Sequence, residues 1–420
     1  MRFNRGRRYT YYSSYSNSRR SRVRWDRVGI IAGIVIVILA LAIWLNFDRL
    51  QLLVKGYSFS QQNIILSLED EAVDEVLSHD KLDHIQDWIE GEGTYFLYDD
   101  YEKYLSTHKD LKIEEVLVTV NDIMTNYKPR FDALTYTEDQ LWKVLDVASI
   151  DDLKYLINHE YTYPQIEPYM NIQGFAIQDI DRYIEIYNEK KNYNYAVLAT
   201  AYPFIISEND NGEIYTIQNP ENVVTLVKKG FQYANNYVPD DLVTPAEIPI
   251  SPDCENAQMR KEAAEALTEM YNDAKKEGYT LIINSAYRSY KEQEEVYKEI
   301  HERYDEVTAA SLVANPGASE HQSGLGIDLT SQSVLDDKRN GISSRFGDKP
   351  EYKWCLANSY KYGYILRFEE DKANITGIGN EPWHFRYVGK DVAKEIFQNG
   401  WTLEEYCLYN GVIPKVKKNG

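Results

Sequence analysis

A run of twenty residues without a charge, VGIIAGIVIVILALAIWLNF at 28–47, constrains this chain more than any other feature. At about 1.5 Å per residue, a helix over it is about 30 Å long, the thickness of a bilayer's hydrocarbon core. Trp25 and Trp44 lie near its two ends, where interfacial aromatics belong. Residues 1–27 hold nine arginines and a single acid, Asp26, for a net charge of +8. With the basic residues on that side alone, the positive-inside rule places 1–27 in the cytoplasm and everything after Phe47 outside. The n-region and the apolar run are too long for a cleaved signal peptide, and no A-x-A-like site follows, so an uncleaved single-pass anchor is expected. The basic arm then acts as a topology signal and a contact for anionic lipid headgroups.

The chain carries -20 overall, so everything after the arm carries -28, and so acidic a body argues against nucleic acid as a partner. Its 420 residues suit two or three domains, and the 43% hydrophobic content supports a substantial core. Cys254, Cys355 and Cys407 match no zinc or redox spacing and cannot all pair, so no disulfide framework is expected, with a single bridge left open.

Residues 48–240 read as mostly helical, acidic and rich in Tyr and Asn. A weak internal repeat runs through them at an offset of 77–80 residues. GYSFSQQNIILSL (56–68) resembles ALTYTEDQLWKVL (133–145), and YDDYEKYLSTHKD (98–110) resembles IQDIDRYIEIYNEKK (177–191). Each unit opens on a Ser or Thr suited to cap a helix, continues with apolar residues at helical spacing, and closes on a strand-like run, VLVTVN or AVLATA. A third, partial copy is expected from NPENVVTLV (219–227). Stacked helical repeats serve as spacers or binding surfaces. His79, His84, His108 and His159 are isolated from one another and read as ordinary histidines.

A proline-rich connector at 235–253 sets the expected boundary, with 241–420 the C-terminal domain. There an amphipathic helix is expected over 256–276, followed by strands at YTLIINSAYRS, LGIDLTS, YILRF and WHFRYVG, interleaved with helices. Helices and strands alternate without βαβ regularity, so the fold class is α+β.

Alternation on two of these strands points to chemistry. In GIDLT, Asp328 faces opposite to Ile327 and Leu329; in WHFRY, His384 and Arg386 face opposite to Trp383, Phe385 and Tyr387. The reading puts those three aromatics in the core, with His384 and Asp328 able to meet across a sheet and joined by His321 from the preceding loop. Two imidazoles and one carboxylate form a three-ligand zinc site that leaves a position open, as catalytic zinc sites do. Glu381 is then placed to move a proton as general base. Arg288, at the end of a strand, suits an oxyanion or carboxylate. Singly, each residue has an ordinary role: His321 a loop histidine, Asp328 a turn cap, Glu381 a partner of Arg386 or Arg367, His301 a surface residue.

Three ordered motifs, SAYRSYKEQ (285–293), SEHQSGLGID (319–328) and EPWHFRYVG (381–389), resemble the VanY-like D-alanyl-D-alanine carboxypeptidases, zinc enzymes of the bacterial cell wall that include L,D-carboxypeptidases. The likeness covers roughly 243–408. The S-x-H-x-x-G-x-A-x-D pattern is met at Ser319, His321, Gly324 and Asp328, with Gly326 where alanine is usual. The resemblance implies one Zn2+ held by His321, Asp328 and His384, with Glu381 as base and Arg288 on the oxyanion or substrate. It also implies that Gln293 and Ser319 hold the peptide and that the C-terminal domain has the fold shared by hedgehog and D-Ala-D-Ala peptidases. The expected partners are peptidoglycan stem peptides and the bacterial membrane. The expected activity is removal of a terminal D-alanine, with D,D- or L,D-specificity. A stem-peptide or cross-bridge endopeptidase, or a non-enzymatic wall-binding scaffold, remains the alternative.

Overall fold

A computed structural model of the chain describes residues 24–206, 212–341 and 345–419. Most of the basic arm expected over 1–27 therefore lies outside the described residues. Two compact units form, Met1–Ser149 and Ile150–Gly420.

In the first unit, the apolar run becomes the 21-residue helix Trp25–Leu45, none of whose residues is buried. By length and composition it is long and apolar enough to cross a membrane. Short helices follow, each burying one stripe. Asp70–Ser78, for example, buries Ala72, Val73 and Val76. Ser58 and Gln61 form a reciprocal cap at the start of Phe59–Ile65, and Thr137 and Gln140 form the same cap at the start of Glu138–Leu145.

Two local expectations change. VLVTVN belongs to the helix Ile113–Asp122, and AVLATA to the helix Tyr193–Ala201 in the second unit. Their β-branched residues suggested strands, but Val116, Leu117 and Val120 fall on one helical stripe and are buried together. The segment 219–227 holds turns rather than a third helical copy.

The second unit is built around a four-stranded antiparallel sheet. Its strands are Leu281–Ser285, Gly326–Ser331, His384–Tyr387 and Tyr364–Leu366, in that spatial order. The amphipathic helix Lys261–Lys276 covers one face, packing Ala263, Leu267 and Met270 against Ile283, Ile327, Leu329 and Phe385. The Tyr364 hydroxyl donates to the Ala263 carbonyl at 2.6 Å.

This unit is larger than the domain expected over 241–420. A second core joins Tyr195, Leu198, Phe204, Leu226 and Phe231 to Ile365, Val388, Ile396, Leu403 and Leu408. In backbone pairing, Tyr215–Ile217 lies between Phe231–Gln232 and the C-terminal strand Val416–Lys418. The proline-rich connector holds turns, bends and the short strand Leu242–Val243 rather than one extended run, and the chain on both sides of it packs into one body. Cys254, Cys355 and Cys407 are separate free thiols.

A fragment of 241–420 is therefore expected to lack a cooperative unfolding transition that a 150–420 fragment retains, as calorimetry and limited proteolysis would show. Phe231→Ala, at a fully buried position, is expected to lower unfolding stability by about 3–5 kcal/mol, measured by denaturant titration.

Candidate active site

Register across the sheet assembles the site. Asp328 pairs directly with His384 on one neighbouring strand and with Ser285 on the other, so three polar side chains stand in a row on one face. His321 enters from the tight turn Glu320–Ser323 that leads into the Gly326–Ser331 strand. Gly324 closes that turn at φ +68, and a Cβ there would meet Leu242 Cδ2 at 2.8 Å. One ligating atom each from His321, Asp328 and His384 lies within 4.8 Å of the others.

Both imidazoles are held from behind. His321 Nδ1 donates to the Ala286 carbonyl at 2.6 Å, which turns Nε2 toward Asp328 Oδ1 at 3.5 Å. His384 does the reverse: Nδ1 faces Asp328 Oδ1 at 2.9 Å, and Nε2 faces Glu320 Oε2 at 3.3 Å. The two rings meet edge to face at 4.9 Å.

Glu381 reaches the site through a turn around Pro382. His384 N–H donates to the Glu381 carbonyl at 3.0 Å, while Glu381 N–H donates to the Phe368 carbonyl, also at 3.0 Å. The Glu381 carboxylate sits 3.9 Å from His384 Nδ1. Arg288 is tied down at both ends of its guanidinium, donating to Gln293 Oε1 at 3.0 Å and Ser285 Oγ at 3.1 Å.

These positions shift the titrations. Burial pushes the Glu381 carboxyl up to about 7, with Asp328 adding to the rise against the pull of His384. Burial, the largest influence, holds the His321 imidazole below its usual value against the pull of Asp328. Burial alone would raise Asp328, but His321 and His384 outweigh it and hold the carboxyl well below its usual range. Burial would lower His384, but hydrogen bonds to Asp328 and Glu320 push it up to about 10. Two imidazoles, each oriented from outside, and an ionised carboxylate between them make a donor set that fits zinc. The excess of carboxylates around His384 is charge that a cation would balance.

A cavity of about 880 Å³ opens onto this cluster, lined there by Arg288, Ser319, Glu381 and Trp383. Beyond it the wall turns apolar at Val296, Ile300, Val307 and Leu312. Trp383 departs from expectation: it precedes its strand, is 36% exposed and lines this cavity, while Phe385 and Tyr387 alone enter the core. Gln293 lines the cavity as well. Its amide oxygen holds Arg288 and its nitrogen donates to the Ala314 carbonyl at 2.8 Å, so both ends are engaged within the protein.

Sequence reasoning missed Glu320. It is 4% exposed and sits behind His384, where it pairs with Arg367 and Arg386, the two arginines considered as partners for Glu381. The available signal was an acid beside His321 in a turn leading to a buried strand.

The family model for VanY, D-alanyl-D-alanine carboxypeptidase, matches residues 256–390. The Bacillus subtilis protein YodJ is 45% identical over 206 residues, covering 48% of this chain and 71% of YodJ. A D-alanyl-D-alanine carboxypeptidase of Enterococcus faecium is 41% identical over 155 residues, covering 37% of this chain and 45% of that protein. Among solved structures, the LdcB LD-carboxypeptidase is 43% identical, with 48% of this chain and 93% of that chain covered and a TM-score of 0.43. With the three motifs folded onto one sheet face, and with an extended match to YodJ, the chain belongs to the VanY family of D-alanyl-D-alanine carboxypeptidases.

Proposed function

We propose that the chain is a zinc-dependent carboxypeptidase that removes the C-terminal D-alanine from peptidoglycan stem peptides. The observation that carries this reading is the buried His321, Asp328 and His384 set, with Glu381 beside it and Arg288 fixed at the cavity wall. The domain reading follows: a basic arm at 1–27, an anchor at 28–47, a mostly helical two-copy spacer after it, and a hydrolase unit held outside the bacterial membrane. Helix Trp25–Leu45 supports the anchor.

His321 Nε2, Asp328 Oδ1 and His384 Nδ1 would hold the ion. When bound, zinc supplies a Lewis acid that polarises a carbonyl and acidifies water. The chain's own residues do the rest. Glu381, with its carboxyl at about 7, accepts a proton from the attacking water and returns it to the departing amine of D-alanine. Arg288 presents two N–H donors to the substrate's terminal carboxylate or to the developing oxyanion. Its contacts with Ser285 and Gln293 preset that geometry, so little reorganisation accompanies the reaction. Ser319, buried at the cavity wall, and the exposed face of Trp383 border the bound peptide.

Defined muropeptides digested by the purified chain test this. Mass spectrometry is expected to show the loss of one alanine residue, from a pentapeptide for D,D- or a tetrapeptide for L,D-cleavage. Two peptide fragments from a cross-linked dimer would instead establish an endopeptidase. A chelator is expected to abolish turnover and added zinc to restore it. Glu381→Gln is expected to lower kcat by about 10²–10⁴-fold while zinc content stays at one per chain by atomic absorption. Arg288→Ala is expected to lower kcat/KM by about 10²–10³-fold in the same digest. Deletion of residues 1–47 is expected to move the protein from the membrane fraction to the soluble fraction with its activity intact.

A further inference from the structure

Behind His384 runs a chain of buried charges that joins Glu320 and Arg386 of the motifs to Lys228, Arg367 and Glu404 outside them. Glu320 divides its carboxylate. Oε2 faces His384 Nε2 at 3.3 Å, while Oε1 accepts from Arg367 Nε at 2.8 Å and lies 3.1 Å from an Arg386 guanidinium nitrogen. Arg367 is clamped by Glu404, which accepts two hydrogen bonds at 2.8 and 3.0 Å. Lys228 lies 3.5 Å from Glu404 and donates to the Ile205 and Ile375 carbonyls. Every side chain in the series is at most 9% exposed. Lys228 and Glu404 lie outside residues 256–390, so the flanking sequence completes the network.

The geometry points to Glu320 as the positioning residue of His384. We propose that its carboxylate holds the Nε2 proton so that Nδ1 is the nitrogen presented to the metal. This inference rests on the zinc reading above. An imidazole that ligates through Nδ1 carries its proton on Nε2, and a carboxylate partner there fixes the ring and strengthens the donor atom. His321 shows the opposite choice with a carbonyl partner, so each ring's orientation follows from what stands behind it. The backbone is built for this placement. A Cβ at Gly326 would come within 3.1–3.3 Å of the Glu320 backbone and Cβ. The glycine standing where alanine is usual therefore lets the Glu320 turn sit close against the strand. Glu320 lines the cavity wall beside His384 and reaches the metal-binding set through that ring.

The test uses the full chain purified in detergent, stripped of metal and titrated with zinc against a chromophoric chelator. Glu320→Gln keeps the shape and removes the charge. Glu404→Gln breaks the same network two contacts further from His384, beyond Arg367. Glu320→Gln is expected to weaken zinc binding by about 10–100-fold and Glu404→Gln by less than about threefold, although both lower the thermal midpoint. Glu320→Asp, which keeps the charge, is expected to recover part of the affinity. Imidazole ¹⁵N NMR of the zinc-loaded wild-type chain is expected to show His384 ligated through Nδ1, with a protonated Nε2. Ligation of wild-type His384 through Nε2 overturns the proposal even if no variant folds. Equal weakening by Glu320→Gln and Glu404→Gln reduces Glu320 to a structural charge and also overturns it. A wild-type chain that takes up no zinc overturns the metal reading itself, a result distinct from zinc binding that is indifferent to Glu320.

Discussion

The antiparallel pairing of Gly326–Ser331 with His384–Tyr387 is the constraint on which the rest depends. Its register sets Asp328 directly opposite His384, on the face away from the core residues Ile327 and Phe385. A slip of one residue would turn Asp328 and His384 into the apolar layer and bring Ile327 and Phe385 to the cavity. Burial of the apolar row against helix Lys261–Lys276 therefore determines the polar row as well. The chemistry on one face is held in place by the hydrophobic effect on the other.

Electrostatics then divides the acids of the site into separate tasks. Glu320 is neutralised from behind by Arg367 and Arg386, and Asp328 by the two imidazoles, so burial does not protonate either one. Glu381 has no cationic partner as close. Its carboxyl rises to about 7, the range in which a carboxylate exchanges protons readily near neutral pH. Three carboxylates within one small volume thus differ in proton affinity because of what surrounds each of them. The ionic network carries its own cost, since a buried charge that loses its partner typically destabilises a fold by about 3–5 kcal/mol. This explains why five charged groups close on one another with so few gaps.

Much of the site was legible in the chain because its residues fall on short local patterns. Alternation in GIDLT and HFRY separates core from site, the tight SEHQSG turn sets His321, and Pro382 marks the turn that carries Glu381. Trp383 was misassigned because strict alternation was extended one residue beyond the start of the strand. Gln293 was legible as a polar motif position, but not as the residue that holds Arg288. The helical middle region was legible in type, yet VLVTVN and AVLATA were not, since β-branched runs suit a strand and a buried helix stripe equally.

By itself the sequence determined the long apolar segment, the α+β character of the C-terminal half and the residue types able to hold a metal, because each depends on neighbours a few positions away. Only the tertiary structure decided that the hydrolase unit begins before the proline-rich connector, that the chain end pairs with Tyr215–Ile217, and that Lys228, Glu320, Arg367 and Glu404 meet behind His384. Those contacts join residues up to about two hundred positions apart. No local periodicity records such a meeting: it follows from which apolar surfaces cover one another, and the buried charges then pair with whatever counter-charge the packing brings near.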